Sequence, residues 1–182
     1  MSDKGLKIVD NPSASLLAER QNLDGSIVMA TLEGARPLLV EIQALVNPTS
    51  FGYPKRTASG FDLNRLNLLV AVLEKRTKLK LSDKDIFINV VGGLKLSDPA
   101  ADLAVAMAIA SASAGKKLSD EAVVFGEVGL GGEVRSATGW HARVKEAKKL
   151  GFTYAIAPKT HGKDAFIHGV SDLRQALIEY LK

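Results

Sequence analysis

Between Ser97 and Gly115 the chain reads "SDPAADLAVAMAIASASAG", and Asp98 and Asp102 are its only ionisable side chains. Asp98 suits a helix N-cap, because its carboxylate can accept an amide of the first turn. Pro99 fits the first helical position, where no backbone donor is needed. Small and apolar residues then follow on every side, so this helix is buried all round and the rest of the chain must surround it. Gly115 ends it. A helix N-terminus beside a loop is where an enzyme often presents a nucleophile, yet Ala100 and Ala101 carry no reactive group.

The remaining elements fit around that helix. Residues 1 to 24 are polar and irregular, with a short helical stretch at Leu16 to Arg20, and read as a linker or tail. Two β-rich runs, Ile27 to Leu32 and Pro37 to Val46, flank Glu33-Gly34-Ala35-Arg36, a hairpin signal. "NPTSFGYPKRTASGF" is a loop or short extended piece. Asp62 caps a helix in which Leu63, Leu66, Val70, Leu73 and Thr77 recur at helical spacing, with no continuation to Lys80. "DIFINVVGGL" is a strand ended by Gly92-Gly93. "AVVFGEVGLGGEVRSA" reads as two short strands around Gly131-Gly132. A helix runs from Trp140 to Leu150, "TYAIAP" and "FIHG" are strands, and Ser171 caps a C-terminal helix. Hairpins first and strands alternating with helices afterwards give an α+β, α/β-like fold with a mixed sheet.

At 182 residues this is one domain, or one domain with a tail. No apolar run approaches the ~20 residues of a membrane span, and the opening lacks the apolar core of a signal peptide. Without cysteine there is no disulfide, no thiolate nucleophile and no cysteine-based zinc site. The reading for location is cytoplasmic.

Catalytic constellations are scarce. "GEVGLGGEV" lacks the Lys-Ser/Thr of a nucleotide loop and has strands on both sides, so it is a turn. His141, His161 and His168 show no metal-ligand spacing, and no metal site is expected. Ser97 could act as a nucleophile only if a base approached it, and it reads as a turn residue. Ser111 and Ser113 sit mid-helix, where hydroxyls usually bond back to the preceding turn. His141 could serve as a base, but its partner would have to stand where alanine stands.

The net charge of +4 says less than its distribution. From Lys55 to Lys84 basic residues outnumber acidic ones, which suggests a surface for a polyanion. Lys55, Arg56 and Arg65 are the first candidates for phosphate contact. Lys75, Arg76, Lys78 and Lys80 come next, and Arg135 and Arg143 are lesser ones. A second cluster, Arg143, Lys145, Lys148, Lys149, Lys159 and Lys163, reads equally well as a solvated surface.

Several long blocks then line up in order: "GSIVMATLEGARPLLVEIQALV", "PKRTASGFDLNRLNLLVAVLEKR", "DIFINVVGGLKLSDPAADLAVAMAIASA", "FGEVGLGGEVRSATGWHARVKEAKKLGF" and "AIAPK". From Gly25 to Lys182 the chain resembles the C-terminal Lon-protease-like domain of the RadA (Sms) family of bacterial DNA repair proteins. The resemblance implies a Lon proteolytic-domain fold of the ribosomal S5 domain 2-like type over residues 25–182. It also implies that residues 1–24 connect to an ATPase domain outside this chain. Active Lon-type proteases use a Ser-Lys dyad, the serine in Pro-Ser-Ala-Gly at a helix start and the lysine on a later helix. Here the motifs read Pro99-Ala100-Ala101-Asp102 and Thr138-Gly139-Trp140-His141, so Ala100 and His141 occupy the dyad positions. Alanine cannot attack a carbonyl, and the resemblance therefore implies a pseudoprotease rather than an enzyme. It further implies a hexamer scaffold and DNA-binding platform for branch migration in a DNA-dependent ATPase. Its partners would be single- or double-stranded DNA, copies of itself, the ATPase domain in cis and a recombinase filament. ATP, Mg²⁺ and Zn²⁺ would be held by other parts of such a protein. Two other readings stand beside this one: an oligomerisation module that never touches DNA, and a residual peptidase using Ser97 with His141.

Overall fold

The hairpin expected around Glu33 to Arg36 seeds the sheet of the computed structural model, which describes residues 11–50, 52–161 and 164–182. Helix α1 (Pro12–Leu17) precedes strands β1 (Ser26–Glu33) and β2 (Arg36–Pro48), which pair antiparallel from Ser26↔Gln43 to Glu33↔Arg36. Strand β3 (Arg56–Ser59) leads to α2 (Leu63–Thr77) and β4 (Lys84–Val90). A 3-10 turn, Pro99–Ala101, runs straight into α3 (Asp102–Ala114). Strand β5 (Ala122–Val124) is followed by a small hairpin, β6 (Glu127–Val128) with β7 (Val134–Arg135), and by α4 (Trp140–Lys149). Strands β8 (Tyr154–Pro158) and β9 (Ile167–Val170) precede α5 (Leu173–Tyr180).

The seven-stranded sheet has the order β3-β4-β2-β1-β5-β8-β9 and is mixed. Only β1·β2 and β2·β4 are antiparallel; the other four pairings are parallel. The architecture is therefore α+β with a mixed sheet, as the alternation of elements suggested. Strand β1 is apolar at nearly every position because it faces a core on both sides. Ile27 and Met29 join the core beneath α2, α3 and α5, while Val28 and Ala30 join the one beneath α4. Every residue of α3 from Asp102 to Ser111 is buried, against the sheet on one side and α2 and α5 on the other. Full burial of Leu103, Val105, Met107 and Ile109 contributes about 1.5–3 kcal/mol for each side chain.

Four local readings change. The helix expected at Leu16 to Arg20 starts earlier, because Asn11 accepts the Ala14 amide and Pro12 follows at the first helical position. The described part of the expected irregular tail thus carries α1, packed on β2. At the C-terminal helix the cap is Asp172, not Ser171: its carboxylate accepts from Gln175 N at 2.9 Å. Residues 122–124 join the main sheet beside β1 and β8, leaving only β6 and β7 for the hairpin. Ser111 accepts from Gly25 N at 2.8 Å and donates to the Lys116 carbonyl, so it ties three segments together instead of bonding back along its helix.

Candidate functional site

Asp98 caps the turn into α3 and organises the residues around Ala100. Its Oδ1 accepts from Ala100 N at 3.0 Å. Its Oδ2 accepts from Thr31 Oγ1 at 3.1 Å, Leu32 N at 3.2 Å and Arg143 Nη1 at 2.6 Å. Arg143, one turn into α4, is fully buried. It also donates to the carbonyls of Ala30 (2.6 Å) and Thr138 (3.0 Å) and lies over the Phe125 ring at 5.7 Å. Gly139 lets α4 begin this close to β1: its φ is +62°, and a Cβ there would meet Leu32 Cδ1 at 2.6 Å. The helix bearing Ala100 and the helix bearing His141 are thus joined by a buried ion pair.

Ala100 and His141, the residues expected at the dyad positions, have different surroundings. Ala100 is 2% exposed and belongs to the same buried apolar cluster as Val28, Ala30, Leu39 and Phe125. His141 is exposed and stacks on half-buried Trp140, ring centroids 3.5 Å apart. His161 is buried in a 3-10 turn (Lys159–His161) and accepts from Ala137 N through Nε2 at 3.2 Å. Burial, then the positive charges of His141 and Arg143, push its pKa down. Ser97 is exposed in the loop before the cap, and its hydroxyl makes no hydrogen bond among the described residues. Among those residues no group of histidine, aspartate and glutamate could hold a metal ion.

The basic candidates separate by geometry. Three arginines spend guanidinium donors on partners within the fold. Arg65 donates to both oxygens of buried Asp102 (Nε to Oδ1 2.9 Å) and to Val128 O at 2.7 Å, pinning α2 to α3 and β6. Arg56 caps the carbonyls of Leu81 and Lys84 and so clamps β3 to the turn before β4. Arg143 is sealed in the core. By contrast Lys55, Lys75, Arg76, Lys78 and Lys80 are exposed. The Arg76 stem lies over Gly132, leaving its head outward. Helix α2 stops at Thr77 because Lys78 turns left-handed at φ 63°, and this places Lys78 and Lys80 on the connection to β4. Arg135 pairs with Glu133 at 2.9 Å on the surface. In the second cluster Lys148 is held by Asp164 at 3.0 Å, and Lys163 lies outside the described residues.

Sequence reading missed two cations that the fold brings to the same end. A groove of about 310 Å³ is lined by Thr77 and Leu79 together with Lys116, just after α3, and Arg174 on α5. No run or spacing announces them, because three helices supply this surface.

A family model described as subunit ChlI of Mg-chelatase matches residues 65–161. The chain is 49% identical over 160 residues to the DNA repair protein RadA of Aquifex aeolicus (strain VF5), a match covering 88% of this chain and 36% of that protein. It is 46% identical over 183 residues to RadA of Pseudomonas aeruginosa, covering 97% and 40%. With RadA of Rickettsia bellii the identity is 43% over 182 residues, covering 97% and 41%. The chain therefore spans well under half the length of these relatives.

Proposed function

Since this chain belongs to the family described as subunit ChlI of Mg-chelatase and most of its length aligns with part of RadA proteins, we propose that it serves DNA repair as a RadA-type Lon-protease-like domain. In this reading the domain has the Lon proteolytic fold of the ribosomal S5 domain 2-like type. It acts as hexamer scaffold and DNA-binding platform while an ATPase domain in cis drives branch migration in the cytoplasm, beside a recombinase filament. The observation that carries it is the set of exposed cations at one end of α2, Lys75, Lys78 and Lys80, continued by Lys116 and Arg174. Such a surface attracts DNA phosphates by counterion release. No helix of the described residues is long and apolar enough to cross a membrane.

Two further parts of the reading follow from residue chemistry. The domain is not a protease, because Ala100 presents only a buried methyl group where an attacking oxygen is needed. Peptide and casein turnover should be absent, and unaffected by Ser97→Ala; turnover lost in that variant would restore the peptidase reading. The chain also does not fit the cofactors of such a protein. With no cysteine and no Lys-Ser/Thr after its glycine turn, it cannot supply a four-cysteine zinc site or a nucleotide loop. ATP, Mg²⁺ and Zn²⁺ fall to other parts.

Exposed Leu63 and Leu68 on α2, and Leu130 at the hairpin, favour a second reading as an oligomerisation module without DNA contact. Titrating labelled DNA with the chain across a salt series separates the two. The DNA platform requires affinity that falls steeply and linearly in log–log form as salt rises. Absence of binding at low salt would leave the scaffold alone.

A further inference from the structure

On the side of α5 turned towards β9, three aromatic rings meet at the wall of a cleft of about 460 Å³. Tyr154 on β8 and His168 on β9 stack with centroids 4.5 Å apart and planes at 19°. The register explains this: Ile156 pairs with His168, and Tyr154, two residues before Ile156, presents its ring to the same face. Tyr180, at the end of α5, closes the group at 6.2 Å from Tyr154 and 5.9 Å from His168. The tyrosines are half-buried against the core, whereas His168 is exposed on the last strand of the sheet.

Cations stand at the other wall. Lys117 and Lys182 exchange backbone hydrogen bonds of 2.8 and 3.0 Å, which fixes the main chain from which both exposed side chains line the cleft. Among the described residues lining the cleft, the one acidic side chain, Glu179, accepts from Gln175 Nε2 at 3.1 Å along α5. Lys117 directly follows Lys116 in the groove beside Leu79, so positive charge runs from the end of α2 to this cleft.

We propose that the cleft formed by Tyr154, His168 and Tyr180 with Lys117 and Lys182 is a stacking site for an unpaired base of single-stranded DNA. This rests on the DNA-platform reading and adds to it the strand state and the place. An aromatic face accepts any base, and flanking ammonium groups hold the phosphates on either side. In a duplex the base faces are covered by their neighbours, so a ring-lined cleft selects an unstacked strand over a paired one. The volume falls within the range of about 300–1,000 Å³ usual for small organic ligands.

The test compares binding of a fluorescent oligothymidylate with that of an abasic strand of equal length, using the chain and its His168→Ala and Tyr154→Leu variants. His168 is exposed, so its substitution leaves the core intact; Tyr154→Leu keeps apolar bulk beneath it. The site requires that the wild-type chain prefer thymidylate to the abasic strand. His168→Ala should then weaken thymidylate binding about tenfold while leaving the abasic strand unchanged. Salt-dependent binding of both strands with equal affinity, indifferent to both variants, would overturn the stacking site and leave the DNA platform standing. No binding of any DNA by the wild-type chain would overturn both.

Discussion

Asp98 accepts from Thr31, Leu32, Ala100 and Arg143, and so joins β1, the start of α3 and α4 through one carboxylate. Arg143→Met should therefore cost about 3–5 kcal/mol in urea unfolding, because it leaves a buried charge and two carbonyls without their donor. Burial alone would raise the Asp98 pKa, but the hydrogen bond and charge of Arg143, with the amides of Ala100 and Leu32, hold it below the ordinary 3.8. Its contribution to stability is present above that value and disappears as pH falls through the lower folded one. His161 acts nearer neutrality. Burial and neighbouring cations keep it below 6.5, so the unfolded chain takes up a proton that the fold refuses. Its contribution is complete above 6.5 and is lost on acidification below that value. The urea midpoint should accordingly drop between about pH 7 and pH 5, and His161→Gln should flatten that part of the profile, since an amide oxygen accepts from Ala137 without titrating. Asp98 was legible in the sequence because an Asp-Pro pair before an apolar run announces a cap. Arg143 was not, because its partner lies 45 residues away in the chain.

Helix α1 has six residues, too few to declare itself by periodicity, and its role lies in a single hydroxyl. Ser13, fully buried, accepts from Leu39 N and donates to Glu146 Oε1, both at 3.1 Å, thereby linking β2 to α4. Ser13→Ala should cost about 1–3 kcal/mol, since the Leu39 amide is then buried without a partner. Hydrogen exchange at Leu39 should quicken in the same variant. Longer elements were readable for definite reasons. Helix α2 shows apolar residues at the turn spacing, and α3 shows no polar face because none of its sides meets water. Residues 122–124 were misassigned because a three-residue apolar strand carries no signal for its neighbour, and its pairing with β1 and β8 is set by the whole sheet.

The basic end of the molecule exists only after folding, when the end of α2, the turn after α3 and the flank of α5 meet. That is why the Lys78 and Lys80 run was visible in the sequence while Lys116 and Arg174 were not. If Lys78 and Lys80 each neutralise a phosphate, replacing both by alanine should reduce the slope of log affinity against log salt by about 2. The same change should leave the unfolding midpoint nearly untouched, both residues being exposed. The outline of the sheet sets a different limit on the molecule. Its two border strands, β3 and β9, have four residues each. An incoming strand would find only a few unsatisfied rungs at either margin, which disfavours lengthening the ladder from copy to copy. Contacts between copies then fall more readily to side chains on helices and loops, where sequence can choose the partner.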